Sequence, residues 1–140
     1  MRRSSIILFV GILLAVASLT LALYAQEKKA EQKPAAMTIS GTLVDLACYA
    51  KVGVTTNDHG SAKDCGAMCA KGGLPVGLLD ADKKVHLLGV PAAAYADYVG
   101  KELRLTGMNG KHAAEVFIPE KLEVKEGDKW VEKKLPKTMM

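Results

Sequence analysis

The chain lacks the sequence motifs of the common catalytic and cofactor-binding sites. It contains no Gly-x-Ser-x-Gly, no glycine-rich phosphate loop and no His-Glu-x-x-His. A Cys-x-x-Cys-His haem attachment is absent as well, and the fourth cysteine that a cysteine-ligated iron–sulfur cluster needs is missing. These absences favour a binding role over an enzymatic one, so we expect no catalytic residues.

Aromatic residues are also scarce. The chain has two phenylalanines, one tryptophan and four tyrosines, which is too few for the stacking platform that binds single-stranded nucleic acid. The net charge points the same way. Its 19 basic residues fall to 17 when Arg2 and Arg3 are removed with a signal peptide, against 15 acidic residues. We therefore expect no nucleic-acid partner.

The N-terminus predicts export. Arg2 and Arg3 form a short basic region, a long apolar run follows, and the small residue Ala25 precedes a polar sequence. We interpret residues 1–25 as a signal peptide and expect a periplasmic or secreted protein. The alternative is an uncleaved anchor in the inner membrane formed by residues 6–24, because about 18 apolar residues suffice to cross a bilayer. Only that alternative makes the membrane a partner.

The remainder of the chain indicates one small domain. Residues 26–36 are polar and lack apolar periodicity, which is typical of a linker. We expect the domain to span residues 37–134, followed by a tail of residues 135–140. A mature chain of about 115 residues can form one hydrophobic core, and a metal ion or a covalent link would add stability at this size.

The pattern of apolar residues predicts a mainly β fold with one short helix in the body of the domain. Pro91 and Gly100 bracket that helix. Asn109-Gly110 predicts a tight turn after the fourth strand. The strands are predicted over residues 38–46, 74–79, 85–88, 102–107 and 113–124, with an edge ribbon over 128–131 as an option.

The order of these elements resembles that of a five-stranded Greek-key barrel of the oligonucleotide/oligosaccharide-binding (OB) type, with its helix between strands 3 and 4. The segments 39–45 and 100–107 are similar to the glycine-centred first and fourth strands of small exported bacterial OB-fold proteins. The resemblance covers residues 37–124 and implies an OB-like fold. The chain departs from that family in the long connection between its first two strands, residues 47–73, which we call the insert.

The insert contains every cysteine of the chain. Cys48, Cys65 and Cys69 fall together with His59 within 22 residues. An odd number of cysteines cannot pair completely within one exported chain, so at least one thiol stays free, binds a metal or bridges to a partner. Three cysteines and a histidine match a four-ligand metal site better than a disulfide framework. We predict a Cys3His site of Cys48, His59, Cys65 and Cys69 that binds one metal ion per chain.

The spacing of the last two cysteines supports this prediction. Ser61 followed by Asp64 is typical of a helix N-cap, and residues 62–71 are compatible with a helix in the insert. Cys65 and Cys69 then share one helix face, with β-carbons roughly 6 Å apart. Parallel side chains at that distance suit two ligands of one ion better than a disulfide.

The ligand set also indicates which ion binds. Three thiolates and an imidazole suit zinc, and they suit cuprous copper, for which Met68 is an additional soft donor. Four protein ligands would make a closed structural site, whereas an open position would serve metal handling. Asp45 and Tyr49 bracket Cys48 and are candidates to orient it, and capping a turn is the other role open to Asp45.

Other interpretations of these residues stay open. A disulfide from Cys48 to Cys65 or Cys69 would fix the insert to an envelope binding module with a protein partner. Alternatively, Cys65 and Cys69 cycle as a thiol/disulfide redox pair. If it does not bind the metal, His59 is an ordinary surface histidine. The two remaining histidines lie in or beside predicted strands and are left out of the site: His86 and His112.

Overall fold

The computed structural model describes residues 35–136. The predicted signal peptide, the alternative anchor of residues 6–24, most of the predicted linker and residues 137–140 of the predicted tail lie outside this range. Within the described range, none of the helices has the length and hydropathy that crossing a bilayer requires.

The described residues form six strands, two α-helices and one 3-10 helix. Their bounds are β1 Met37–Asp45, α1 Leu46–Val52, α2 Cys65–Lys71, β2 Val76–Leu79, β3 Val85–Leu88, the 3-10 helix Ala92–Tyr98, β4 Glu102–Gly110, β5 Ala113–Glu126 and β6 Lys129–Lys133. The prediction of a mainly β fold is confirmed. The strand count is six rather than five, and the connection from β1 to β2 carries two α-helices where one was predicted.

Five of the strands close into a ring. They pair in the order β3-β2-β1-β4-β5, and β5 pairs back onto β3. The closing pair is parallel, whereas all the other pairs are antiparallel. The 14 residues of β5 make the closure possible, because its first half pairs with β3 and its second half with β6.

Gly41 lies where β1 changes partners. The strand pairs with β4 up to Thr42 and with β2 from Thr42 onward. A Cβ atom at Gly41 would clash with the carbonyl group of Leu79, so only glycine permits this close approach. The glycine therefore allows β1 to pass from β4 to β2 just before the insert begins.

The hydrophobic core draws residues from all five ring strands, the 3-10 helix and α2. In β4, buried Leu103 and Leu105 alternate with the half-buried Arg104 and Thr106. This period of two places one side of the strand in the core, as a strand requires. Like Leu103 and Leu105, five further large side chains are less than 2% exposed: Tyr95, Phe117, Leu43, Leu78 and Leu122.

Two local predictions are wrong. Asn109 and Gly110 do not form the turn but continue β4, because a register shift between them lets Gly110 pair with Ala113. Ser61 does not cap the helix of the insert either. The backbones of His59 and Ala62 bond to each other, so the helix begins later, at Cys65.

Candidate metal centre

Asp45 joins β1 to α1 and thereby positions Cys48. It is the N-cap of α1, and its Oδ1 accepts a hydrogen bond of 2.9 Å from the Ala47 amide. An extended backbone with a side-chain acceptor is the usual N-cap arrangement. The Leu46 amide donates to the Pro75 carbonyl at 3.0 Å, which ties the start of α1 to the entry of β2. Cys48 therefore lies in the first turn of a helix that is fixed to the ring.

Asn57 caps α2 from the loop before it. Its Oδ1 accepts a 2.8 Å bond from the Ala67 amide, and its carbonyl accepts a 2.9 Å bond from the Gly66 amide. Its Nδ2 donates to Asp64 Oδ1 at 2.8 Å. Asp64, the residue directly before α2, has a left-handed φ of 52° and makes no side-chain cap bond. Two orphan amides at the start of α2, those of Gly66 and Ala67, are thus satisfied by a residue nine and ten positions upstream.

Small residues set α2 against the domain. Gly66, Ala67 and Ala70 are buried, and the helix contacts β1 and the 3-10 helix. A Cβ atom at Gly66 would lie 2.6 Å from Val99 Cγ1, so a larger residue would push the helix outward. With these residues packed inward, Cys65 and Cys69 are only half-buried.

The three cysteines converge. Their Sγ atoms all lie within 4.8 Å of one another, and all three thiols are free. They come from two helices that are separated by a loop. Neighbouring sulfurs of a tetrahedral zinc site are about 3.8 Å apart, because each Zn–S bond is about 2.3 Å. Adjustments of about 1 Å or less would bring these thiols onto one ion.

His59 belongs to a second, overlapping group. One of its ring nitrogens lies within 4.8 Å of both a carboxylate oxygen of Asp45 and Cys48 Sγ. Its Nε2 is 3.0 Å from the Thr56 carbonyl oxygen. A carbonyl can only accept, so Nε2 carries the proton and Nδ1 is left as the free acceptor. His59 does not share a group with Cys65 and Cys69, so the Cys3His set stays a prediction.

Asp45 completes the second group, although it is not one of the four ligands predicted from the sequence. Its side chain is 2% exposed, and no other polar or charged residue in the range 35–136 is buried. While Oδ1 caps α1, Oδ2 is buried without a hydrogen-bond partner. An unpaired buried acceptor costs about 1–3 kcal/mol, and more when it is charged. The sequence signal that could have identified Asp45 as a ligand is an acidic residue three positions before a cysteine.

The Asp45 carboxylate raises the pKa of its thiol neighbours. For Cys48, the main cause of the raised pKa is the neighbouring Asp45 carboxylate, followed by burial. The pKa of Cys69 is raised to about 12, first by burial and then by Asp45. Both groups are therefore held as thiols in the metal-free protein. A bound cation reverses this preference, because it takes the place of the protons.

The other candidate donors lie apart from these groups. His86 Nε2 is 2.8 Å from Asp80 Oδ2 in the β2–β3 hairpin, where the two side chains form an ion pair when the ring is charged. His112 is exposed in the turn between β4 and β5. Met68 is 67% exposed, so its thioether is not buried with the half-buried thiols.

Comparisons with protein families, with curated proteins and with solved structures found no match for this chain. We therefore infer its function from the residues of the site.

Proposed function

We propose that the protein is an exported metal-binding domain in which Cys48, Cys65 and Cys69 bind one zinc or cuprous ion as thiolates. The observation that carries this proposal is the meeting of three free thiols within 4.8 Å of one another. The group includes every cysteine of the chain. Thiolates are ligands that zinc and cuprous copper share.

The insert is positioned by contacts that do not involve an ion. Asn57 caps α2, Asp45 caps α1, and the small residues of α2 pack on the domain. Zinc fingers, by contrast, fold only when the metal binds. The ion is therefore not needed to build the ring, and its structural or metal-handling role is confined to the insert.

Two side chains compete for the fourth coordination position. The sequence predicts His59, whose free Nδ1 is directed by the bond from Nε2 to Thr56. Asp45 lies in the same group and also approaches Cys48. A fourth protein ligand would close the site, whereas three thiolates alone would leave a position for water or an incoming ligand.

In this proposal an OB-like barrel carries the site. Two features support it: the pairing of β3 with β5, which closes the ring, and the 3-10 helix between β3 and β4. Export is supported by Arg2, Arg3 and the apolar run that follows them.

A thiol redox function is the alternative. It requires a thiol whose pKa is lowered, so that a reactive thiolate is present near neutral pH. The Asp45 carboxylate acts in the opposite direction on Cys48 and Cys69. Neither of these two thiols therefore has the lowered pKa that thiol exchange requires.

Elemental analysis with a thiol count, on protein purified without oxygen, tests the proposal. We expect about one zinc or copper ion per chain, as for a closed single-ion site. All three thiols should react with an alkylating reagent only after a chelator is added. Cys65→Ser should abolish stoichiometric binding, whereas His112→Gln, at an exposed turn, should leave it unchanged.

Two results would overturn the proposal. A metal-free protein with one reactive thiol and one disulfide would indicate the disulfide-stapled binding module instead. A Cys65→Ser variant that retains the full metal content would remove Cys65 from the site.

A further inference from the structure

Asp45 combines burial, charge and an unsatisfied oxygen. It is 2% exposed, and it is the one buried polar or charged residue in the part of the chain that the structure describes. In the same residues, its Oδ2 is the one buried side-chain nitrogen or oxygen without a hydrogen-bond partner. The group therefore needs an explanation.

Capping of α1 does not explain an acid at this position. Serine, threonine and asparagine cap helices as well as aspartate does, without burying a charge. The cap also uses Oδ1 alone. A buried carboxylate is costly unless it is paired, and none of the ion pairs within residues 35–136 includes Asp45. Oδ2 is therefore left without a hydrogen-bond donor or an ion-pair partner among the side chains of this range.

Cys48 is the thiol that shares a group with this carboxylate. One of its oxygens lies within 4.8 Å of Cys48 Sγ. His59 shares its group with Asp45 and Cys48. An ion bound by thiolates at about 2.3 Å and by a carboxylate at about 2.1 Å places sulfur and oxygen about 3.6 Å apart. Asp45 and Cys48 are within roughly 1 Å of that spacing, whereas Asp45 shares no group with Cys65 and Cys69.

We propose that Asp45 Oδ2, rather than His59, is the fourth ligand of the ion held by Cys48, Cys65 and Cys69. This inference rests on the proposed function. One carboxylate then serves two purposes, because Oδ1 fixes the helix that carries Cys48 while Oδ2 binds the ion. A hard oxygen donor favours zinc over cuprous copper. Four protein ligands make the site closed, so the zinc ion stabilises the insert.

Zinc X-ray absorption on the unmodified, zinc-loaded protein tests the ligand set directly. We expect a shell of three sulfur atoms and one oxygen, without the outer-shell scattering of an imidazole ring. Clear imidazole scattering would overturn the inference while leaving the proposed function intact. A protein that binds neither zinc nor cuprous copper would instead show that the proposed function itself fails, and one that binds only cuprous copper would overturn this inference alone.

Two matched variants test the same inference by affinity. Asp45→Asn retains the shape and the capping oxygen, so circular dichroism should be unchanged. Its zinc affinity should fall by more than about 100-fold, because changes to residues that only orient ligands already cost 10- to 100-fold. His59→Gln should stay within about tenfold of the parent, as expected of a residue outside the ligand set.

The metal-free variants provide a second readout. Without zinc, Asp45→Asn should unfold at a urea concentration at least as high as the parent, because it removes an unpaired buried charge. The inference is overturned if Asp45→Asn binds zinc as tightly as the parent, or if His59→Gln suffers the larger loss. Asp45→Ser, which also preserves the cap, should repeat the loss of affinity with a different side chain.

Discussion

The ring of strands and the insert are held together by different interactions. In the ring, Leu43, Leu103 and Leu105 are completely buried, and large apolar side chains from every ring strand share one core. In the insert, only Gly66, Ala67 and Ala70 are buried. The insert thus contributes almost no large apolar surface to the core.

Polar contacts take the place of a core in the insert. Asn57 bonds to the start of α2, and Asp58 accepts bonds from the Asp64 amide and from Lys63 Nζ. Most of these groups are exposed or half-buried, so water competes for each bond. The ring is therefore stabilised by the burial of apolar side chains. The insert depends instead on a few hydrogen bonds and on the ligand that its thiols bind.

The largest effect should come from the core of the ring. Leu105→Ala removes a completely buried side chain of β4 and should lower the free energy of unfolding by about 2–5 kcal/mol. Urea denaturation, followed by circular dichroism, measures the loss. Leu87→Ala, at a strand position that is 36% exposed, should cost much less. Equal losses for the two variants would contradict the view that burial stabilises the ring.

Zinc should stabilise the protein without being needed for the ring. With free zinc 100-fold above Kd, removing it should lower the free energy of unfolding by about 2.7 kcal/mol. Amide resonances of β4 and β5 should keep their dispersion in the metal-free protein. Changes in chemical shift should be confined to α1, α2 and the end of β1. Collapse of the β4 resonances on chelation would show that the ring depends on the insert.

A smaller and local effect is expected at the cap of α2. Asn57→Ala removes the acceptor for the Ala67 amide and should cost about 1–2 kcal/mol. Hydrogen exchange at Ala67 should accelerate while exchange at Leu105 stays slow, because the loss opens the insert and not the ring. Asn57→Asp keeps the accepting oxygen and should cost less. Unchanged exchange at Ala67 in the alanine variant would contradict the capping role.

The smallest effect should come from a polar contact of the ring. Glu123 accepts two hydrogen bonds of 2.9 Å from Arg104, and these bonds are the main reason why its pKa is lowered. A carboxyl with a lowered pKa in the folded state stabilises above its unfolded pKa of about 4.3, and this contribution is lost as the pH falls through the folded value. Glu123→Gln should therefore lower the stability only slightly at pH 7, because water screens an ion pair at the surface.

The pH dependence of stability checks this assignment. Urea denaturation of Glu123→Gln should show a weaker loss of stability on acidification than the parent, because one titrating group is gone. Glu120→Gln, at an exposed position of β5, serves as the control. Equal pH dependence in the parent and Glu123→Gln would show that this pair does not contribute.

Local patterns in the sequence were sufficient for much of the ring. The hairpin of β2 and β3 has the predicted polar loop at residues 80–84, and β3 has the predicted bounds Val85–Leu88. Alternation of apolar and polar residues over a few positions determines such strands. The helical segment that Pro91 and Gly100 bracket is confirmed as well, although it adopts 3-10 geometry. The convergence of the three cysteines was also predicted, from their shared helix face and their position in one insert.

The helices of the insert were harder to predict. The seven-residue helix α1 was missed, because its signal is a single cap at Asp45 that equally fits a turn. The cap of α2 was misplaced at Ser61, because the true capping side chain is Asn57, ten residues before the amide of Ala67 to which it bonds. Local rules search for a cap directly before the helix, so they do not find this one.

The chemistry available to this protein follows from the sequence alone: three thiols in one insert, an acid three residues ahead of the first of them, and the alternation that makes strands. Only the tertiary structure decided which of these groups meet. The closure of β5 onto β3, the approach of Cys48 to Cys65 and Cys69, and the burial of Asp45 Oδ2 all join positions far apart in the chain or change their solvation. The physical reason is that such contacts depend on strand register and side-chain packing, which act between elements and leave no local pattern in the sequence.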